Sequence, residues 1–310
     1  MYAIRNRALP ARFRRERLLV VGCGDVGLRT VALARGRVNL MALTSNPGRL
    51  NELRALGIRP VLGNLDDPRS LRRLSGLATR VLHLAPPPAS GRADPRTAAL
   101  LGVLMRRGPP ASLVYGSTTG VYGDCEGRWV SEQHALNPRT DRAHRRVDAE
   151  RWIRQFGRIS RLPASILRIP GIYALDRPGS TPQDRLKRQM PVLKADEDVY
   201  TNHVHADDLA RACWLALWRA RPLRAYNVSD DSDMKMGDYY DLAADLSGLA
   251  RPERVSRQQA EERLPAMTLS FMGESRRLRN ERLKQELGLR LTYPTVREGL
   301  ASTKGMAARA

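Results

Sequence analysis

The chain has 310 residues, 42% of them hydrophobic, which is enough for one large or two modest globular cores. No apolar run approaches the ~20 residues that span a bilayer, and the arginine-rich residues 1–16 hold no apolar stretch resembling a signal peptide, so a soluble cytoplasmic protein is expected. The net charge of +21 is mostly arginine and is spread along the whole chain, so no specific nucleic-acid partner is expected, only salt-sensitive adhesion to polyanions. Cys23, Cys125 and Cys213 are odd in number and far apart, which supports neither a disulfide framework nor a zinc knuckle.

Arg17 to Val21 is an apolar, branched run that reads as a buried strand. It breaks into Gly22-Cys23-Gly24-Asp25-Val26-Gly27, a G-x-G-x-x-G spacing, and then into a helical pattern to Arg35 with Gly36 as its stop. Gly22 suits the tight turn, Gly24 a close approach of backbone to a pyrophosphate, and Gly27 close packing of helix on strand. The helix presents unpaired N–H groups and its positive end to phosphates, so a dinucleotide site is expected here. Residues 38–43 form a second strand that ends at Thr44-Ser45-Asn46, with Arg49 just beyond. An NAD-type unit places an acidic residue ~20 positions past the glycines for the ribose 2′-hydroxyl. Ser45 and Asn46 stand there instead and Arg49 adds a cation, so NADP is favoured, with NAD still possible.

A third strand is expected over 59–65, followed by Asp66-Asp67-Pro68 capping a helix over 69–74. A fourth, over 81–85, stops at Pro86-Pro87-Pro88, where the backbone has no amide to donate. Residues 89–95 read as a low-complexity linker, 97–107 as a helix and 112–116 as a fifth strand. This alternation implies an α/β fold with a doubly wound parallel sheet and right-handed crossovers. Beyond it, 166–169 is a strand, and 176–198, with prolines at 178, 182 and 191, is an irregular lid. Helices are expected over 206–220, with Trp214 and Trp218 in the core, over 236–247, and over 275–287 as one basic helix with a solvated arginine face. His203 and His205 could share a face as metal ligands, but Asp207 and Asp208 read as ordinary helix capping, and no metal site is expected.

At Gly116-Ser117-Thr118-Thr119-Gly120-Val121-Tyr122-Gly123 the chain resembles the NAD-dependent epimerase/dehydratase group of extended and atypical short-chain dehydrogenases/reductases. Further blocks carry the resemblance along nearly the whole chain. These are the Gly22-to-Gly27 turn, Asn64-Leu65-Asp66, His83-Leu84-Ala85, Ile169-Pro170-Gly171-Ile172-Tyr173, residues 203–210, Ala225-Tyr226-Asn227-Val228 and residues 280–299. The resemblance implies a Rossmann domain over 17–178 completed by 203–232, substrate-cap segments over 179–202 and 233–300, a basic arm over 1–16 and a tail over 301–310. It implies that Leu65 and Asp66 meet the adenine, that Ala85 and Pro86 line the cofactor, and that Pro170, Gly171 and Ile172 lie beside the nicotinamide.

The family's catalytic helix carries Tyr-x-x-x-Lys, and those places hold Arg142 and Arg146. Thr118 keeps the family's hydroxyl, but arginine stays protonated and cannot replace the phenol as acid/base. Arg146 can still donate to ribose hydroxyls. Three readings follow. In the first, an oxidoreductase or epimerase acts on a small carbonyl or sugar-like substrate, with Thr118 polarising the carbonyl, Tyr122 as the substitute acid, and Arg142 clamping an anionic substrate or oxyanion. In the second, the protein binds NADP(H) without turnover as a sensor or scaffold. The third, a polyanion binder on a borrowed frame, rests on net charge alone. None of them specifies an oligomeric state.

Overall fold

The computed structural model describes residues 15–177 and 181–301. The arm expected over 1–16 lies outside this description up to residue 14, as do residues 178–180 of the lid and the tail beyond 301. The central sheet holds β1 (Arg17–Val21), β2 (Asn39–Thr44), β3 (Arg59–Leu62), β4 (Arg80–His83), β5 (Ser112–Thr118), β6 (Ala164–Ile169) and β7 (Ala225–Asn227). Its order is β7-β6-β5-β4-β1-β2-β3 with every neighbouring pair parallel, the doubly wound topology expected. Strands buried on both faces read as continuous apolar runs, which is why Leu-Leu-Val-Val of β1 is fully enclosed.

The helices are α1 (Asp25–Ala34), α2 (Leu50–Ala55), α3 (Pro95–Leu104), α4 (Asp141–Ser160), α5 (Pro182–Lys187), α6 (Ala206–Arg219), α7 (Met236–Ser247), α8 (Arg257–Arg263), α9 (Ala266–Met272), α10 (Glu281–Leu287) and α11 (Val296–Ala301). Apolar residues of α1, α6 and α10 bury one face of the sheet, and those of α3 and α4 bury the other. Two smaller clusters, one joining α5, α7 and α11 and one joining α7 to α8 and α9, are separate from the two that cover the sheet. Strand order reverses between β1 and β4, so a crevice opens at their carboxyl ends, where ligands bind in such sheets.

Several expected boundaries shift. β3 ends at Leu62, and the helix expected over 69–74 is a 3-10 turn, Ser70–Leu74. Trp218 is exposed, stacked on by the Arg80 guanidinium at 3.7 Å, while Trp214 packs against the core. The single helix expected over 275–287 is broken. Arg277–Leu278 is a short strand parallel to Trp129–Val130, and helix α10 starts only at Glu281. The break has a local cause: Asn202 accepts from the Leu278 amide, and Asn280 donates to the Ser229 and Asp230 carbonyls, so the backbone is held extended between them.

Candidate functional site

The glycine turn closes the crevice floor. Gly22 has φ +88°, and a Cβ there would lie 2.6 Å from Ala85 Cα, so this position requires glycine on both counts. A Cβ at Gly27 would come within 3.1 Å of the Gly22 carbonyl oxygen, which sets how closely α1 meets β1. Gly24 is different: its Cβ direction is empty to 4 Å, and its backbone is extended at φ −86°. Open space therefore lies in front of the Gly24 backbone at the start of α1, the feature a diphosphate needs. A cavity of about 320 Å³ is lined by Gly22, Gly24, Asp25, Val26 and Gly27 on one side and by Thr118, Arg146, Pro170 and Ile172 on the other. The residues present fit a dinucleotide.

At the expected adenine end, Asn46 caps the turn by accepting from the Gly48 amide at 2.9 Å. Arg49 donates to the Cys23 carbonyl at 3.0 Å and chelates Glu52 through two nitrogens. This cation therefore rests against the glycine turn with a carboxylate beside it, so its charge is partly offset by Glu52. Ser45 lines a separate depression with Arg69, Arg72 and Arg73. Asp66 is exposed and held by Arg96 through a two-pronged pair at 2.6 and 2.7 Å, which keeps its pKa below the usual carboxylate range. Arg96 also reaches the Pro86 carbonyl, fixing the proline segment that follows β4. Leu65 is half-buried against the core, and Ala85 is buried under Gly22.

Two arginines stand where a tyrosine and a lysine would. Thr140 caps α4 by accepting from the Ala143 amide, placing Arg142 in the first turn and Arg146 four residues on along one face. Arg146 Nη1 donates to the Tyr115 hydroxyl at 2.9 Å and to the Gly116 carbonyl at 2.8 Å, so it is anchored to β5 at the cavity wall. Arg142 lines a second, larger cavity of about 640 Å³ and stacks on Phe271 of α9 at 4.5 Å. Thr118, Pro170, Ile172 and Arg177 line both cavities, so the two are halves of one cleft that meet at the end of β5.

Tyr122 is not in this cleft, and the role expected of it as the substitute acid is corrected. Its ring is fully buried, its hydroxyl donates to Asn227 Oδ1 at 2.7 Å, and it accepts from Arg168 at 2.8 Å. Burial pushes its pKa up to about 12. Arg168 in turn forms a buried pair with Glu150, which also accepts from Ser117. Tyr122 is the last link of a network that ties β5, α4, β6 and β7 together. The two histidines differ: His203 stacks on Tyr239 at 4.0 Å in the wall of the larger cavity, while His205 packs against Tyr293 and accepts from the Asp207 amide.

The structure adds residues that no local pattern announced. Arg177 forms an ion pair with Asp25 of the glycine turn at 2.8 Å and donates to the Ile172 carbonyl at 2.9 Å. Asp25 also accepts from Arg29, which is bound to Asp176 and Asp207 as well, so the first turn of α1 is knotted to the segment after β6 and to α6. Arg276, expected on a solvated face, is buried at the larger cavity, donating to the Gly123 carbonyl at 2.6 Å and to Glu274 at 2.9 Å. Glu274 is the one carboxylate among the described residues lining that cavity. A glutamate and an arginine in a stretch of mixed charge gave no sequence signal for this.

Glycine turn, switch-point crevice and parallel sheet together define a dinucleotide-binding protein of the Rossmann class. The model of the NAD-dependent epimerase/dehydratase family matches residues 19–229, and the chain belongs to that family. Among solved structures, a functionally unknown conserved protein from Silicibacter pomeroyi is 32% identical, with a TM-score of 0.78 over 94% of this chain and 98% of that one. The UDP-glucose 4-epimerase of Thermotoga maritima, solved with UDP-glucose, is 19% identical with a TM-score of 0.74, covering 92% of this chain and 96% of its own. The Thermus thermophilus UDP-glucose 4-epimerase, solved with NAD, is 22% identical with a TM-score of 0.72 over the same shares. No curated protein matches the sequence. Among the described residues, no helix is long and apolar enough to cross a membrane.

Proposed function

We propose that this protein is a cytoplasmic NAD(P)-dependent oxidoreductase or epimerase of short-chain dehydrogenase type, acting on a small carbonyl or sugar-like compound and preferring NADP(H). One observation carries the reading: the cavity at the glycine turn and the larger one share Thr118, Pro170 and Ile172, so a reacting carbon at the end of β5 would face both. A bound nicotinamide supplies a hydride donor or acceptor at that junction. Thr118 sits there to hydrogen-bond the substrate oxygen, the open backbone at Gly24 to receive the diphosphate, and Arg146, fixed by Tyr115 and Gly116, to donate to the ribose. The preference for NADP rests on Thr44-Ser45-Asn46, which lacks a carboxylate, and on Arg49 beside the turn.

A second reading, cofactor binding without turnover, is favoured by a specific observation. The places of the phenol and the amine hold guanidinium groups, and Tyr122 is locked away with its proton held to about pH 12. Titration with NADPH and NADH, followed by a screen of carbonyl compounds and nucleotide sugars, separates the two: turnover supports the enzyme, and tight binding with no turnover supports the sensor. Arg49→Gln is expected to weaken NADPH at least about 10-fold more than NADH, the loss of a charged hydrogen bond to the 2′-phosphate at about 1.5 kcal/mol or more. Unchanged melting temperature and fluorescence at millimolar levels of both cofactors would refute both readings.

A further inference from the structure

We infer that Arg142 is the anchor for an oxyanion, carboxylate or phosphate, carried by the substrate in the larger cavity. This deepens the proposed reading and rests on it for the word substrate, though the anion site is argued from the cavity alone. Four guanidinium groups, Arg142, Arg177, Arg185 and Arg276, line this cavity against the single carboxylate Glu274. Three of the four are already engaged. Arg177 is held by Asp25, Arg276 by Glu274, and Arg185 donates to the Pro191 carbonyl while lying over Tyr240.

Arg142 is the exception. Among the described residues its contact is the face of Phe271, with neither ion pair nor hydrogen bond. An arginine that lies over an aromatic ring keeps its N–H groups available, and a guanidinium with free N–H groups can bind a planar anion through two bonds.

The charge at Arg142 is also placed at a cost. Arg142 is exposed as a residue, yet partial burial of its guanidinium and the neighbouring Arg146, Arg145 and Arg276 press its pKa below the ordinary arginine range, with Glu274 opposing them. It also stands in the first turn of α4, the end of a helix that disfavours a cation. A second negative group in the cavity would relieve both costs. Glu274 itself is already engaged, since Arg276 holds its carboxylate at 2.9 Å. An anion bound by Arg276 would have to displace Glu274 from its 2.9 Å pair, whereas one bound by Arg142 displaces nothing. The ligand class is thus a small polyol or carbonyl compound with one acidic end.

The test uses the full chain and three probes that share one ring: glucose, glucuronate and glucose 6-phosphate, with inorganic phosphate as a fourth. Calorimetric titration up to about 20 mM reaches the millimolar affinities expected of such fragments. At least one anionic sugar is expected to bind tenfold or more tightly than glucose, and which one distinguishes carboxylate from phosphate. Arg142→Gln is expected to bring that preference below twofold without changing melting temperature, and Arg142→Lys to keep part of it. In the unmutated protein, labelling of Arg142 by phenylglyoxal, read by peptide mass spectrometry, is expected to slow in the presence of the anionic probe. An anionic preference that survives Arg142→Gln, labelling that the probe leaves unchanged, or no binding of any anion would overturn the inference. NADPH and NADH titrations on the same samples are read separately. Anion binding that needs Arg142 in a protein that ignores both cofactors would uphold the site and sink the oxidoreductase reading.

Discussion

Replacing Gly24 with alanine separates folding from ligand binding at the glycine turn. Gly24 is exposed, its φ of −86° is open to any residue, and an added Cβ meets no atom within 4 Å. Stability is therefore expected to stay within about 0.5 kcal/mol of the parent, or to rise slightly because alanine restricts the unfolded chain. The methyl group would stand in the space where a diphosphate must come within hydrogen-bond distance of the backbone. Losing one charged hydrogen bond costs about 1.5–3 kcal/mol, which is roughly a 10- to 150-fold rise in Kd for NADPH. Gly22→Ala is the contrast. A positive φ costs about 1–2 kcal/mol for a residue with a Cβ, and crowding against Ala85 adds about 1–3 kcal/mol, a large share of a typical folding free energy. Urea unfolding measures the first quantity and NADPH titration the second. If Gly24→Ala binds both cofactors as the parent does, the diphosphate does not lie on this turn and the assignment of the cleft fails.

Two further outcomes follow from buried groups. Tyr122→Phe removes a hydroxyl that bonds Asn227 and Arg168, leaving both short of a partner, and is expected to cost about 1–3 kcal/mol in urea unfolding while cofactor affinity stays unchanged; a loss of affinity with no loss of stability would return Tyr122 to the cleft. Burial holds His83 and His203 down to about 3 and Asp230 up to about 7. Near pH 5.5 the unfolded chain thus binds two more protons at the imidazoles and one fewer at Asp230, so acidification destabilises the fold, with the histidines prevailing. The net of one proton corresponds to about 1.4 kcal/mol per pH unit from these groups, and His203→Phe is expected to lower the measured slope between pH 7 and 5 by about that amount. An identical slope in the variant would show that His203 is not buried neutral.

Much of this protein was legible in the residues read alone. Apolar runs over 18–21 and 113–115, glycines spaced for a strand-to-helix turn, and the proline stop after β4 are local signals, since each depends on neighbours a few positions away. They sufficed for the parallel sheet, the glycine turn and the place of Thr118 at the end of β5. Which side chains share the cleft was decided only in three dimensions. Tyr122 lies four residues from Thr118, yet it turns inward because Asn227 and Arg168, 105 and 46 positions away, complete its hydrogen bonds. Arg276 leaves its expected solvated face because the Gly123 carbonyl, 153 positions away, accepts from it, and Arg29 reaches Asp207 across 178 positions. Periodicity in a sequence records which face of an element is apolar. It does not record which distant partner satisfies a buried charge, and in this cleft those pairings determine which arginines are held by carboxylates.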